Sequence, residues 1–172
     1  MKDFLELAKD RYSVRAYSEK PIPQEVLDKI IEAGMVAPTA TNNQPQRIYV
    51  LKSPEALQKI RALTRCAFNA PVVLLIALNK DEQWNNPLEN SYFSGQQDVS
   101  IVATHMMLAA WDLGVGSCWV NYFPNSETAR AFNLPSQEEP ILLLPLGYPA
   151  DNSHPSPRHS ASKSVEEIVR TL

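Results

Sequence analysis

Cysteine is scarce in this 172-residue chain: Cys66 and Cys118 stand far apart and form no CxxC pair. That spacing gives no thioredoxin-like redox motif; a single disulfide is the alternative, and two free thiols in a reducing compartment is the expected state. The three histidines give no metal-ligand pattern. His105 falls in an apolar helical stretch, and His154 and His159 lie in a proline-rich segment with no cysteine or carboxylate cluster, so no metal site is expected. No apolar run approaches bilayer length. The residues after Met1 are too charged for a signal-peptide core, and the cytosol is the default location. A net charge of −3, with both signs interspersed, argues against nucleic acid as a partner. A dinucleotide fingerprint is missing too: Gly114-Val115-Gly116 ends a helix and does not follow a strand. No nucleophile–base constellation is evident.

What is present suits one domain, since a chain of this length can bury roughly 70% of its unfolded surface. Short helices are expected over 3–9, between Pro23 and Gly34, and from Ser53-Pro54, with Ser53 as the cap. Strands are expected at 48–51 and at 72–78. The second lacks alternation, as a strand covered on both faces does. The longest helix is expected over 96–113. Val99, Val102, Met106, Ala109 and Leu113 form its inward stripe, and Ile101, Met107 and Leu108 broaden it. Such a helix is either central or lies at a subunit contact. Beyond Gly114, a strand over 117–122, a helix capped by Ser126 and ending near Phe132, and a strand over 141–146 complete the expectation. The tail from Pro149 to Ser164 has few groups for a core of its own and is expected to wrap over another surface, ending in 165–172.

The richest local pattern is Arg11-Tyr12-Ser13-Val14-Arg15, answered far downstream by Arg158. Two arginines and a hydroxyl within five residues suit a phosphate monoester, because guanidinium offers a planar fork of donors at any relevant pH. Alone, the same residues are more often an ordinary solvated helix end, where cations complement the dipole.

Four landmarks in order give the pattern more weight. They are Arg11-x-Ser13-x-Arg15 with Pro23 near the next helix start; Ala37-Pro38-Thr39-Ala40 followed by Gln44-Pro45; Leu113-Gly114-Val115-Gly116-Ser117-Cys118-Trp119-Val120; and Leu146-Gly147-Tyr148-Pro149 with Arg158 beyond. Together they resemble the nitroreductase family of FMN-dependent oxidoreductases. The chain departs from the family's pattern in having Gln46 where an aromatic usually follows Gln-Pro, and Tyr12 where many relatives have a second arginine.

The resemblance implies an α+β, three-layer fold, with a mostly antiparallel central sheet flanked by helices and a long central helix at a dimer interface. It covers residues 1–172 as one FMN-binding domain, with 149–172 as an extension packing on the partner subunit. It implies a homodimer with FMN at the subunit interface and NAD(P)H as a transient hydride donor. Arg11 and Arg158 are then expected at the flavin phosphate, with Ser13 in support, and Arg15 at the pyrimidine edge. Pro38, Thr39 and Ala40 are expected along the flavin from the partner subunit. A backbone donor to flavin N5 is expected within 118–121, which brings in Cys118, Trp119 and Val120. No side chain is expected to act as catalytic acid or base: the flavin carries the redox step. The implied reaction is ping-pong, from NAD(P)H to an electron-poor acceptor such as a nitroaromatic or quinone. Trp84, Tyr92 and Phe93 are candidates for a lid over the flavin. Alternatives are a flavin-binding or regulatory module without turnover, or a reductive dehalogenase-like enzyme on the same scaffold, although the interval 79–95 is short for an inserted lid.

Overall fold

Two stretches of almost unbroken apolar sequence make the centre of the molecule. The computed structural model describes residues 3–172. In it, β1 (Gln46–Leu51), β2 (Val72–Asn79), β3 (Gly116–Ser117) and β4 (Glu138–Gly147) form an antiparallel sheet in the order β1-β2-β4-β3. Every residue of β2 is buried, and so is β4 from Pro140 onward. Both central strands therefore read as continuous hydrophobic runs, because helices cover both faces.

The period-2 geometry of a strand divides these residues between two cores. Leu74, Ile76, Leu78, Leu142, Leu144 and Leu146 face α2 (Gln24–Met35) and α4 (Gly95–Asp112). Val73, Leu75 and Leu143 face the opposite way, toward Leu57 and Ile60 of α3 (Pro54–Leu63) and toward Phe123, which leads into α5 (Asn125–Ala131). The result is the expected three-layer α+β architecture.

Local chemistry accounts for most boundaries. The Ser53 hydroxyl accepts from the Ala56 N–H, and Pro54 opens α3 at a position that needs no donor. Helix α4 buries Val99, Val102, Ala103, Met106 and Ala110, but leaves Ala109 and Leu113 only half-buried. The stripe is thus rotated slightly from its expected course. Ile101 is exposed and Met107 and Leu108 are half-covered. His105 lies on this outer face, with Nδ1 2.9 Å from the Ile101 carbonyl.

Two expectations need correction. The strand expected over 117–122 pairs regularly only at Gly116 and Ser117, with an isolated bridge at Val120. Ser126 does not cap α5; the helix begins at Asn125 after Pro124, without a side-chain cap. The Asn125 amide donates to the Pro140 carbonyl instead, so tertiary contact fixes this helix start.

Candidate functional site

Helix α1 (Phe4–Asp10) ends where Arg11 turns extended, and its N–H returns to the Leu7 carbonyl. The chain then runs alongside β3. The Val14 N–H donates to the Ser117 carbonyl at 2.9 Å, and Ser13 bridges Ser117 in parallel. Glycine at position 116 permits this approach, since a Cβ there would stand 2.5 Å from Val14 Cγ2. With Val14 fully buried, its neighbours Ser13 and Arg15 project outward.

The opposite end of the chain arrives at the same place. The Ala150 N–H donates to the Ala16 carbonyl, and the Tyr12 hydroxyl contacts Ser153 Oγ at 3.1 Å. His159 Nε2 lies 3.0 Å from the Lys9 carbonyl, which fixes that nitrogen as the donor. Tyr12 also packs edge-on against Trp111 of α4, with ring centroids 5.1 Å apart.

Between the two chain ends opens a cavity of about 500 Å³ lined by Arg11, Tyr12, Ser13, Arg15, Ser156, Arg158 and His159. No carboxylate lines it. Three guanidinium groups, three hydroxyls and an imidazole line a space sized for a phosphate and the chain it carries. Arg11, Ser13, Arg15 and Arg158 thus line one cavity. Tyr12, Ser156 and His159 are additions that sequence reasoning missed. Ser156 and His159 stand within two residues of Arg158, and that proximity is the signal that was available.

Below this cavity, Cys118 and Val120 are buried with their side chains in the second core. Burial pushes the Cys118 thiol above its ordinary pKa, against the opposing pull of Arg15 and a hydrogen bond with Ser13. Burial likewise pushes up the Tyr17 phenol, which donates to the Val14 and Pro145 carbonyls at 2.8 and 3.1 Å. Only backbone is thereby offered by Cys118 and Val120, and both N–H groups are already used, to Pro145 and Leu143 carbonyls at 3.4 and 3.0 Å. In extended chain, alternate N–H groups point in opposite directions. The Trp119 and Asn121 N–H groups therefore point away from β4, and neither has an acceptor within the described chain. The Ser117 hydroxyl is also buried without a partner.

Pro38, Thr39 and Ala40 do not line this cavity. They lie near the start of α4, where the buried Asp98 carboxylate accepts the Ala40 N–H at 2.8 Å. Trp111 touches the cavity wall 13 residues further along the same helix, so the two parts are about 20 Å apart along its axis. Trp84, Tyr92 and Phe93 lie on a hairpin whose base is closed by Ser94: its N–H donates to the Trp84 carbonyl at 3.0 Å, and its hydroxyl accepts the Trp84 N–H at 3.2 Å. Among the described residues no group of three or more His, Cys, Asp or Glu is placed to hold a metal. No helix among them is long and apolar enough to cross a membrane.

Fold and cavity define an α+β protein that gathers cationic donors where its two chain ends meet. The chain belongs to the nitroreductase family, whose profile matches residues 8–69 and 64–148. A crystal structure of a nitroreductase family protein from Clostridium difficile superposes with a TM-score of 0.92 at 36% identity, covering 99% of this chain and 100% of that one. A Methanothermobacter thermautotrophicus protein provisionally named NADH dehydrogenase/NAD(P)H nitroreductase is 32% identical over 157 residues, 87% of this chain and 79% of its own. The FMN reductase [NAD(P)H] of Bacillus subtilis is 30% identical over 175 residues, 92% of this chain and 70% of its own. The protein is accordingly an oxidoreductase of this family. The same scaffold serves iodotyrosine deiodinase 1 of Sus scrofa, 26% identical over 178 residues.

Proposed function

We propose that the chain binds FMN and works as a twofold homodimer that passes reducing equivalents from NAD(P)H to an electron-poor acceptor such as a nitroaromatic or a quinone. The observation that carries this reading is the carboxylate-free cavity of about 500 Å³ holding Arg11, Arg15 and Arg158. The residues fit the cofactor in three further respects. The Trp119 and Asn121 N–H groups follow Ser117, which bridges Ser13, and have no acceptor within the described chain, so they are our choice for the N5 donor. The Ser117 hydroxyl is a buried, unpaired polar group across the bridge from Ser13, which lines the cavity. The 38–40 turn lies at the far end of α4, so a twofold partner can present it where one chain alone cannot.

In this reading Arg11, Arg158, Ser13 and Ser156 hold the phosphate through charge-assisted hydrogen bonds. Arg15 adds positive charge beside the pyrimidine edge and favours the reduced, anionic ring over the oxidised one. Bound FMN supplies the redox chemistry, accepting hydride from NAD(P)H and reducing the acceptor in a separate half-reaction. The partner's 38–40 turn orients the ring. Trp84, Tyr92 and Phe93 exclude water from the acceptor space.

The test is the visible spectrum of FMN-reconstituted protein before and after anaerobic NAD(P)H. Rapid bleaching, reversed by a quinone, is the expected result. Bound flavin that stays yellow with both NADH and NADPH overturns the catalytic reading, and an unchanged spectrum on adding FMN overturns the cofactor assignment.

A further inference from the structure

A buried charge with no part in the phosphate site needs a reason to be there. Asp98 is 2% exposed, in the first turn of α4, with no cation paired to it among the described residues. An isolated carboxylate in such a place is costly unless hydrogen bonds compensate it. One oxygen accepts the Ala40 N–H at 2.8 Å; the other accepts the Ser94 hydroxyl at 2.6 Å. Ser94 in turn accepts the Trp84 N–H at 3.2 Å and closes the base of the 84–94 hairpin, which the Asn86 N–H and Tyr92 carbonyl close again at 2.9 Å. A single carboxylate thus joins two pieces of chain that are remote in sequence, the turn at Ala40 and the continuous 84–98 segment.

The turn held on the Ala40 side is itself strained. Thr41 has φ of +50°, a left-handed conformation that a β-branched residue adopts only under constraint. Asn42 and Gln44 are left-handed as well, and the Gln44 N–H donates to Thr39 Oγ1 at 3.0 Å. Charge-assisted bonds to Asp98 supply such a constraint. On the Ser94 side a close fit leaves little slack: a Cβ on Gly95 would stand 2.5 Å from Leu78 Cδ2.

We infer that Asp98 is a positioning residue that ties the 38–42 turn to the 84–94 hairpin, so that ordering one orders the other. The inference rests on the flavin reading only in naming what each segment meets: the ring for the turn, the acceptor for the hairpin. A flavin lying against the turn would then stiffen the hairpin that covers the acceptor, with Asp98 as the shared strut and no chemical step of its own.

Hydrogen exchange followed by mass spectrometry on the full chain, with and without FMN, tests this. In Asp98→Ala, residues 39–43 and 84–94 should both exchange about tenfold faster or more, the effect of losing a hydrogen bond to a charged group, while 72–79 and 141–147 keep their protection. Asp98→Asn should restore slow exchange at Ala40, because an amide oxygen still accepts there. The decisive variant is Ser94→Ala, which leaves Asp98 in place and folds irrespective of the fate of Asp98→Ala. It should speed exchange at 39–43 as well as in the hairpin. Faster exchange in the hairpin alone would show two independent local bonds and overturn the coupling. In the unmodified chain, FMN should slow both segments. If FMN slows neither while Ser94→Ala still disturbs both, the strut stands and the flavin assignment falls.

Discussion

Arg158 lies in an exposed short helical turn, 143 positions after Arg15 in the chain, yet lines the same cavity. Replacing it with alanine should weaken FMN binding by roughly ten- to a hundredfold, the equivalent of about 1.5–3 kcal/mol for a hydrogen bond to a charged group. Riboflavin, which has no phosphate, should bind the variant and the unmodified chain alike; equal losses for both ligands would place Arg158 elsewhere. Cys118 gives a second prediction at this scale. Burial raises its thiol pKa, so at pH 8 less of it is thiolate than for an ordinary cysteine. Alkylation of the native protein should therefore mark Cys66 first, with Cys118 following only on unfolding or at pH above its ordinary value of 9. Prompt labelling of both thiols would contradict this. Residue-level features were legible in the sequence where they were local. Arg11, Ser13 and Arg15 share one extended run, and their outward direction follows from alternation around buried Val14. Asp98 was illegible because its meaning lies in a partner 58 residues away and in a serine whose side chain could equally have met water.

At the scale of elements, the sheet and the longer helices follow from hydrophobic pattern and punctuation, and they appear within a few residues of where the sequence puts them. The segment after β3 does not. Its apolar run suggests a full strand, but Cys118 and Val120 bond to β4 on one side only, and the other edge has Ser13–Val14 for its first step and nothing thereafter. Edge pairing is a tertiary property, invisible in a list of apolar residues, and the same gap leaves the Trp119 and Asn121 N–H groups available. Gly116 controls how closely the two segments approach. In Gly116→Ala the new methyl would meet Val14 at well under contact distance. The 11–15 run should be pushed off β3, costing about 1–3 kcal/mol of stability and weakening FMN binding at least severalfold. Thermal melting alongside FMN titration checks it, and a variant that melts and binds as the unmodified chain does would mean that the approach is slack.

For the whole molecule, the outer face of α4 is the feature to explain. Phe4, Leu7, Leu108 and Ala109, with Thr104, His105 and Asp112, line a largely apolar groove of about 620 Å³, and Phe4, Leu5, Met35 and Val36 are each more than 60% exposed. Contiguous apolar surface of this kind marks contact sites. On the proposed reading, this face is where the twofold partner would pack. Leu108→Glu places two like charges against each other across such an axis. The variant should sediment as a folded monomer that fails to retain FMN, whereas a dimer with normal flavin content would move the interface elsewhere. The C-terminal extension divides at this scale. Residues up to His159 bond to their own protomer through Ala16, Tyr12 and Lys9. Beyond them the chain is exposed throughout, and Val165, Ile168 and Val169 offer an apolar edge that suits packing on the partner subunit.

Tyr12 and Ser153 are in contact although 141 residues separate them. A chain made amino end first can form α1 and pair β1 with β2 early, but it has no cradle for an anion until Arg158 and His159 have been added. On the proposed reading, flavin loading waits for the segment carrying Arg158 and His159, and a fragment that stops before it would hold flavin poorly.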